Sequence, residues 1–121
     1  MRNLVGILKS LSDETRLRIL NMLFERECCV CEIIQVLGMS QPRVSHHLSA
    51  MYNAGLLKMR RQGLFALYSV DWDGIDDNTA EIVRAVRKDM EQSKTGQEDL
   101  QKLAKAERIL PECARPVQVG K

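Results

Sequence analysis

Three of the four cysteines in this 121-residue chain fall within four consecutive positions, as Cys28, Cys29 and Cys31; the fourth is Cys113. A disulfide framework spreads its cysteines to close loops, so this crowding argues against a secreted scaffold and for metal or redox chemistry. Thiolates select soft, thiophilic ions. Cys28-Cys29-Val30-Cys31 also contains a Cys-x-x-Cys, which can close as a reversible disulfide. No βαβ pattern surrounds it, which disfavours thioredoxin-type enzyme chemistry. The bland alternative, three cysteines serving as small buried hydrophobes, is uncommon at this density next to Glu27 and Glu32.

A second polar constellation follows closely. Ser40-Gln41-Pro42-Arg43-Val44-Ser45-His46-His47-Leu48 opens on a helix-capping residue, and Pro42 is tolerated in a first turn whose amides lack intrahelical partners. Gln41, Arg43, Ser45, His46 and His47 therefore gather near a helix N-terminus. Gln pairs bidentately with adenine and Arg with guanine or phosphate, while Ser and neutral His are shorter-reach donors to phosphate. No acidic residue occurs between Glu32 and Asp71, a stretch that holds Arg43, Lys58, Arg60 and Arg61 with His46 and His47. A long segment stripped of carboxylates is what a polyanion-facing surface requires. The net charge of +2 conceals this asymmetry: residues 1–70 carry nine Lys/Arg against five Asp/Glu, and residues 71–121 nine against eleven. A plain solvated helix face, with His47 filling a polar edge of the core, is the competing reading. The missing acids and the basic segment Arg60-Arg61-Gln62-Gly63 tilt the balance towards DNA.

The elements that must position these groups can be read from periodicity and punctuation. Leu4, Val5, Leu8 and Leu11 recur at helical spacing over residues 2–11. Ser12 can cap a second helix, with Asp13 and Glu14 at its start and Leu17, Ile19, Leu20, Leu23 and Phe24 as its apolar set. Ile33, Ile34, Val36 and Leu37 make a short third helix that Gly38 stops. The fourth runs from the Ser40 cap to about Asn53, with Val44, Leu48 and Met51 inward. Leu56–Arg60 and Phe65–Val70 have strand character and are joined through Arg61-Gln62-Gly63-Leu64 as a hairpin. A fifth helix begins near Asp77 with the stripe Ile82, Val83, Val86 and Met90, and Thr95-Gly96 breaks it. A short helix through Leu100, Leu103 and Ala104 precedes Pro111, beyond which disorder is expected. A short helix, a Gly-containing turn, a second helix and a basic hairpin define a mainly α chain with a small β-hairpin, the winged helix-turn-helix. Residues 1–94 form the DNA-binding and dimerisation domain, and 95–121 a partly helical or disordered extension.

Three motifs in this order, Leu11-Ser12-Asp13-Glu14-Thr15-Arg16-Leu17-Arg18-Ile19-Leu20, then Ser40 to Leu48, then Ala54-Gly55-Leu56-Leu57, resemble the ArsR/SmtB family of metal-responsive repressors over roughly residues 4–92. The resemblance implies a homodimer held by the first and last helices, operator binding without inducer, and release when an inducer binds. Glu27-Cys28-Cys29-Val30-Cys31-Glu32-Ile33 resembles the family's thiolate motif Glu-Leu-Cys-Val-Cys-Asp-Leu, with Cys29 and Cys31 as the pair. By this likeness trivalent arsenic or antimony is the inducer, taking three sulfurs in a pyramid; Cd(II), Pb(II) or Zn(II) are alternatives, and a redox or reactive-sulfur sensor using the same cysteines is the rival function. Two departures stand out. The third cysteine that some arsenical sensors carry three residues later is Ile34 here, and the family pattern often has Arg where His46 stands. Cys28 is the favoured third sulfur and Cys113 the other candidate; a small exogenous third ligand remains open. The family's other site, a zinc cluster on the fifth helix, has no histidines to build it. On a regular helix residues i and i+2 point about 200° apart, so Cys29 and Cys31 can share an ion only if residues 28–31 are non-helical or the first turn unwinds.

The length suits one core. No apolar run approaches the ~20 residues of a membrane span, and no signal peptide is evident, which places the chain in the cytoplasm. No Gly-rich phosphate loop or catalytic triad points to an enzyme.

Overall fold

The computed structural model describes residues 2–109. Six helices and three strands follow in the order α1 (Arg2–Leu11), α2 (Glu14–Glu25), β1 (Cys28–Cys29), α3 (Val30–Leu37), α4 (Gln41–Asn53), β2 (Leu57–Gln62), β3 (Phe65–Val70), α5 (Asp77–Glu91) and α6 (Lys94–Lys105). No helix among the described residues is long and apolar enough to cross a membrane.

The helix starts are set by short polar side chains, with one correction to expectation. Asp13, not Ser12, caps α2 by accepting from the Arg16 amide at 3.1 Å, while the Ser12 hydroxyl donates back to the Leu8 carbonyl of α1. Ser40 caps α4 as expected, and Gly38 ends α3 at φ +67°, a left-handed conformation that costs glycine little. Val44, Leu48 and Met51 of α4 are fully buried among Ile19, Leu20, Met22 and Ile33. That common core fixes α4 against α2 and α3.

The hairpin is longer and tighter than its sequence pattern indicates. Strands β2 and β3 pair antiparallel from Leu57↔Val70 to Gln62↔Phe65, so Arg61 and Gln62 belong to the strand and Gly63-Leu64 alone makes the turn. A two-residue hairpin turn needs positive φ, which Gly63 supplies at +61°. The third strand, β1, was not foreseen. It pairs antiparallel with β3 through Cys28↔Tyr68 and Cys29↔Leu67, giving the order β1-β3-β2. Two residues carry no readable alternation, so nothing local announces them.

The C-terminal helix also departs from expectation. Thr95 and Gly96 do not break α5 but lie in the first turn of α6, which Ser93 caps by accepting from the Gly96 amide. Gly96 is needed for a close approach, since a Cβ there would meet the Met90 carbonyl oxygen at 2.8 Å. Helix α6 shares the core with α2: Leu103 is buried, the Asn21 side-chain amide donates to the Gly96 carbonyl, and buried Asp99 takes both arms of the Arg18 guanidinium. Residues 95–105 thus belong to the same packed unit as 2–94. The expectation about residues beyond Pro111 lies outside the described residues.

Candidate thiol site and nucleic-acid interface

The extended residues 27–29 place their side chains on alternate sides before α3 begins, and this decides which sulfurs meet. Cys28 and Cys29 are strand neighbours and point to opposite faces of the sheet. Cys28 joins the main core with Leu20 and Leu57, whereas Cys29 and Cys31 pack with Leu67 and Phe65 in a separate small cluster. Cys29 sits at the α3 N-cap with an extended backbone (φ −88°, ψ 166°), and Cys31 is the second helical residue. Their Cα atoms are 5.4 Å apart and their sulfurs are joined as a disulfide. The non-helical requirement is met by the strand-to-helix junction, with no helical turn unwound.

Cys28 does not join them. Its thiol is fully buried, lies 3.4 Å from the Arg26 carbonyl oxygen, and is pushed up to about 12 by desolvation. In this arrangement Cys28 faces away from the pair, because adjacency in a strand separates side chains. Cys113 lies outside the described residues, and among those residues no group of three His, Cys, Asp or Glu could hold a metal ion.

Charged residues that the sequence reading passed over hold the junction. Glu32, buried at 3% exposure, accepts from the Cys29 amide at 2.9 Å and pairs with Arg26 at 2.9 Å and Arg108 at 3.3 Å. An acid three residues after the cap is the capping-box spacing, a signal that was available. Beside it, the Gln35 side chain exchanges two hydrogen bonds with the Glu107 backbone. The segment after α6 is thereby strapped along α3.

The candidate DNA residues divide into three groups. Gln41 and Ser45 bond each other at 2.9 Å at the start of α4, with Ser40, Arg43 and His46 exposed nearby. His47 is half-buried, and its Nδ1 accepts from the Arg16 Nε–H at 3.0 Å; burial holds its pKa below the ordinary imidazole value. On the wing, Arg60 forms a two-armed pair with Glu27 at 2.8 Å and also donates to Gln62. This Arg60 bond is the main reason the Glu27 carboxyl is held below its usual range. Arg61 points to the other face of β2, exposed, and makes no ion pair among the described residues. Glu27 was missed because its partner lies 33 residues away.

A short helix, a Gly-Met turn, a polar-faced second helix and a basic hairpin beside it define a winged helix-turn-helix DNA-binding protein. Residues 13–59 match the family described as "Bacterial regulatory protein, arsR family". An uncharacterized HTH-type transcriptional regulator of Methanocaldococcus jannaschii is 41% identical over 81 residues, covering 66% of this chain and 86% of that protein. The arsenical resistance operon repressor of Escherichia coli is 43% identical over 65 residues, 53% of this chain and 56% of that repressor. Among solved structures, the homodimeric winged helix-turn-helix DNA-binding domain of a Mycobacterium bovis regulator superposes with a TM-score of 0.63 at 25% identity, covering 77% of this chain and 82% of that one. The chain belongs to the arsR family of bacterial regulatory proteins and is a DNA-binding transcriptional repressor, not an enzyme.

Proposed function

We propose that this repressor senses a thiophilic ion, trivalent arsenic or antimony first among them, through Cys29 and Cys31, and that binding releases its operator. The observation that carries the reading is the meeting of these two sulfurs at the first turn of α3, the opening helix of the helix-turn-helix. The donor set fits a soft ion once the pair is reduced, and the third position is then filled from outside the described residues or by a small exogenous ligand. The likeness to an arsenical resistance repressor supports a thiophilic metalloid or metal ion as the inducer. The bonded state of the pair favours one second reading, a switch worked by thiol oxidation.

On DNA, Gln41, Arg43, Ser45 and His46 meet the major groove, and Arg61 meets phosphate. Arg60 and Gln62 contribute once Glu27 gives Arg60 up, and His47 supports α4 from behind. Two copies associate through α1, whose Leu4, Val5 and Leu8 remain 43–46% exposed. They present two recognition helices about 34 Å apart to a pseudo-palindrome in the cytoplasm. The α5 stripe, by contrast, is largely used within the protomer: Val83 and Met90 are buried, and Ile82 and Val86 pack against the core.

The test is gel-shift titration of the reduced protein on the DNA upstream of its own gene, against arsenite, antimonite, cadmium, lead, zinc and a thiol oxidant. Arsenite should release wild type and Cys28→Ser alike, and should fail with Cys29→Ser and Cys31→Ser. Release that survives both of those substitutions refutes the sensing site. Release by oxidant alone favours the second reading.

A further inference from the structure

The sheet register sets Arg60, Leu67 and Cys29 side by side across β2, β3 and β1, so their side chains share one face, while Met59, Tyr68 and Cys28 take the other. Glu27 stands immediately before β1. Its carboxylate accepts from both Nε and Nη2 of Arg60 at 2.8 Å. Because β3 lies between β1 and β2, the Arg60 side chain crosses the middle strand to reach it. Nη2 also donates to the Gln62 side-chain oxygen at 3.2 Å. A guanidinium held by two parallel bonds has given to a carboxylate the same fork that it offers to a phosphate. The acid-free stretch between Glu32 and Asp71 holds the cations Arg43, Lys58, Arg60 and Arg61. Among the described residues only Arg60 of these forms an ion pair.

We propose that Glu27 is an intramolecular stand-in for a DNA phosphate: it occupies the Arg60 guanidinium in the free protein, and DNA gains Arg60 only by displacing it. The pair is built to exchange. Its side chains are 56% and 31% exposed, so water reaches both groups when they part, and a pair this open contributes little to folding. The bond from Arg60 holds the Glu27 carboxyl below its usual range, which keeps the competitor charged at neutral pH. A duplex brings phosphates whose condensed cations are released on contact, an entropic gain that a lone carboxylate lacks, so DNA wins the exchange once the wing docks. Displacing Glu27 costs affinity on every DNA sequence alike, because a phosphate contact carries no base information. Glu27 therefore sets how tightly the wing grips without altering which bases are read. This deepens the function proposed above and rests on its placing of Arg60 among the DNA contacts.

The experiment measures DNA binding of the reduced full chain by fluorescence anisotropy across a salt series, on a duplex from upstream of its own gene and on one of unrelated sequence. Wild type, Glu27→Gln, Arg60→Ala and the double variant are compared. Glu27→Gln should tighten binding about threefold per protomer, the scale of one exposed ion pair, and by the same factor on both duplexes. The slope of log affinity against log salt should steepen by about one per protomer. Arg60→Ala should cost little where Glu27 is present and several-fold in the Glu27→Gln background. Most of the gain from Glu27→Gln should vanish in the Arg60→Ala background. No tightening on Glu27→Gln, a gain confined to the upstream duplex, or an equal gain without Arg60, which is plain charge repulsion, overturns the proposal. Arg61→Ala on the same duplexes reports on the DNA face by itself. If it weakens binding while the Glu27 and Arg60 variants do not couple, the competition fails and the DNA face stands.

Discussion

Removing the Glu32 carboxylate tests what holds the thiol junction together. In Glu32→Ala three interactions go at once: the 2.9 Å bond from the Cys29 amide, the Arg26 pair and the Arg108 pair. The first caps a helix with a charged acceptor in a buried place, which contributes about 1–2 kcal/mol. Both arginines are about a third exposed, so each turns to water on losing its partner and accounts for no more than about 0.5–1 kcal/mol. The total is roughly 2–4 kcal/mol, less than the ~3–5 expected when a buried charge is left stranded, because here the buried member is the one deleted. Glu32→Gln keeps an acceptor for the Cys29 amide and should recover about half of the loss. The assay is urea unfolding of the reduced protein at one fixed protomer concentration, since association shifts apparent stability. With an m-value of ~2 kcal/mol/M, the Glu32→Ala midpoint should fall by about 1–2 M. Equal midpoints for Ala and Gln would remove the cap from the argument, and a fall under about 0.3 M for Ala would refute the whole account.

Arg61→Ala should weaken binding by a similar factor on all DNA sequences and lower the salt slope by about one, read by gel shift across a salt series; Gln41→Ala should instead relax base preference at about 1–3 kcal/mol for the lost pair. Leu8→Arg on the exposed face of α1 should leave the fold intact and yield monomer by sedimentation at micromolar concentration. His47, its pKa lowered by burial, makes a contribution that is full above the unfolded value near 6.5 and declines as pH falls from there towards the folded value. Its imidazole protons in an NMR titration should therefore shift below about pH 6.5, and Arg16→Ala, which frees Nδ1, should change the midpoint.

The fold was legible wherever a signal repeats along the chain. Helices α1, α2, α4 and α5 show 3.6-residue apolar spacing, and apart from the C-terminus of α5 their ends fall within a residue or two of expectation. What stayed hidden depends on pairing across sequence distance. Strand β1 exists only because β3 lies beside it, and its two residues decide that Cys28 turns from Cys29. Helix α6 was foreseen only as a short helix in an outlying extension, because a Gly in its first turn imitates a stop; only the close approach to Met90 explains that residue. Glu27 and Glu32 looked like the flanks of a cysteine motif. Their partners, Arg60, Arg26 and Arg108, show instead that they fasten the motif to the wing, to the end of α2 and to the chain beyond α6.

The geometry at Cys29 also bears on how release could work. A ligand shifts an equilibrium only by the difference in its affinity for the two states. Had the pair lain within a regular helix, unwinding α3 would have supplied that difference, and the recognition helix would have followed. The pair lies instead at a junction already extended on one side, with both sulfurs in contact. An ion entering there need not deform α3, and a site equally ready on and off DNA would bind tightly and release nothing. On the reading proposed above, the difference must therefore arise where the sensing pair is tied to the DNA contacts. The sheet is such a place: β1 bonded to β3 makes any shift of the pair a shift of the wing. A coupling of ~1–3 kcal/mol, about 5–150-fold in operator affinity, then needs no more than the loss of one Arg–phosphate contact and one Gln–base pair per protomer.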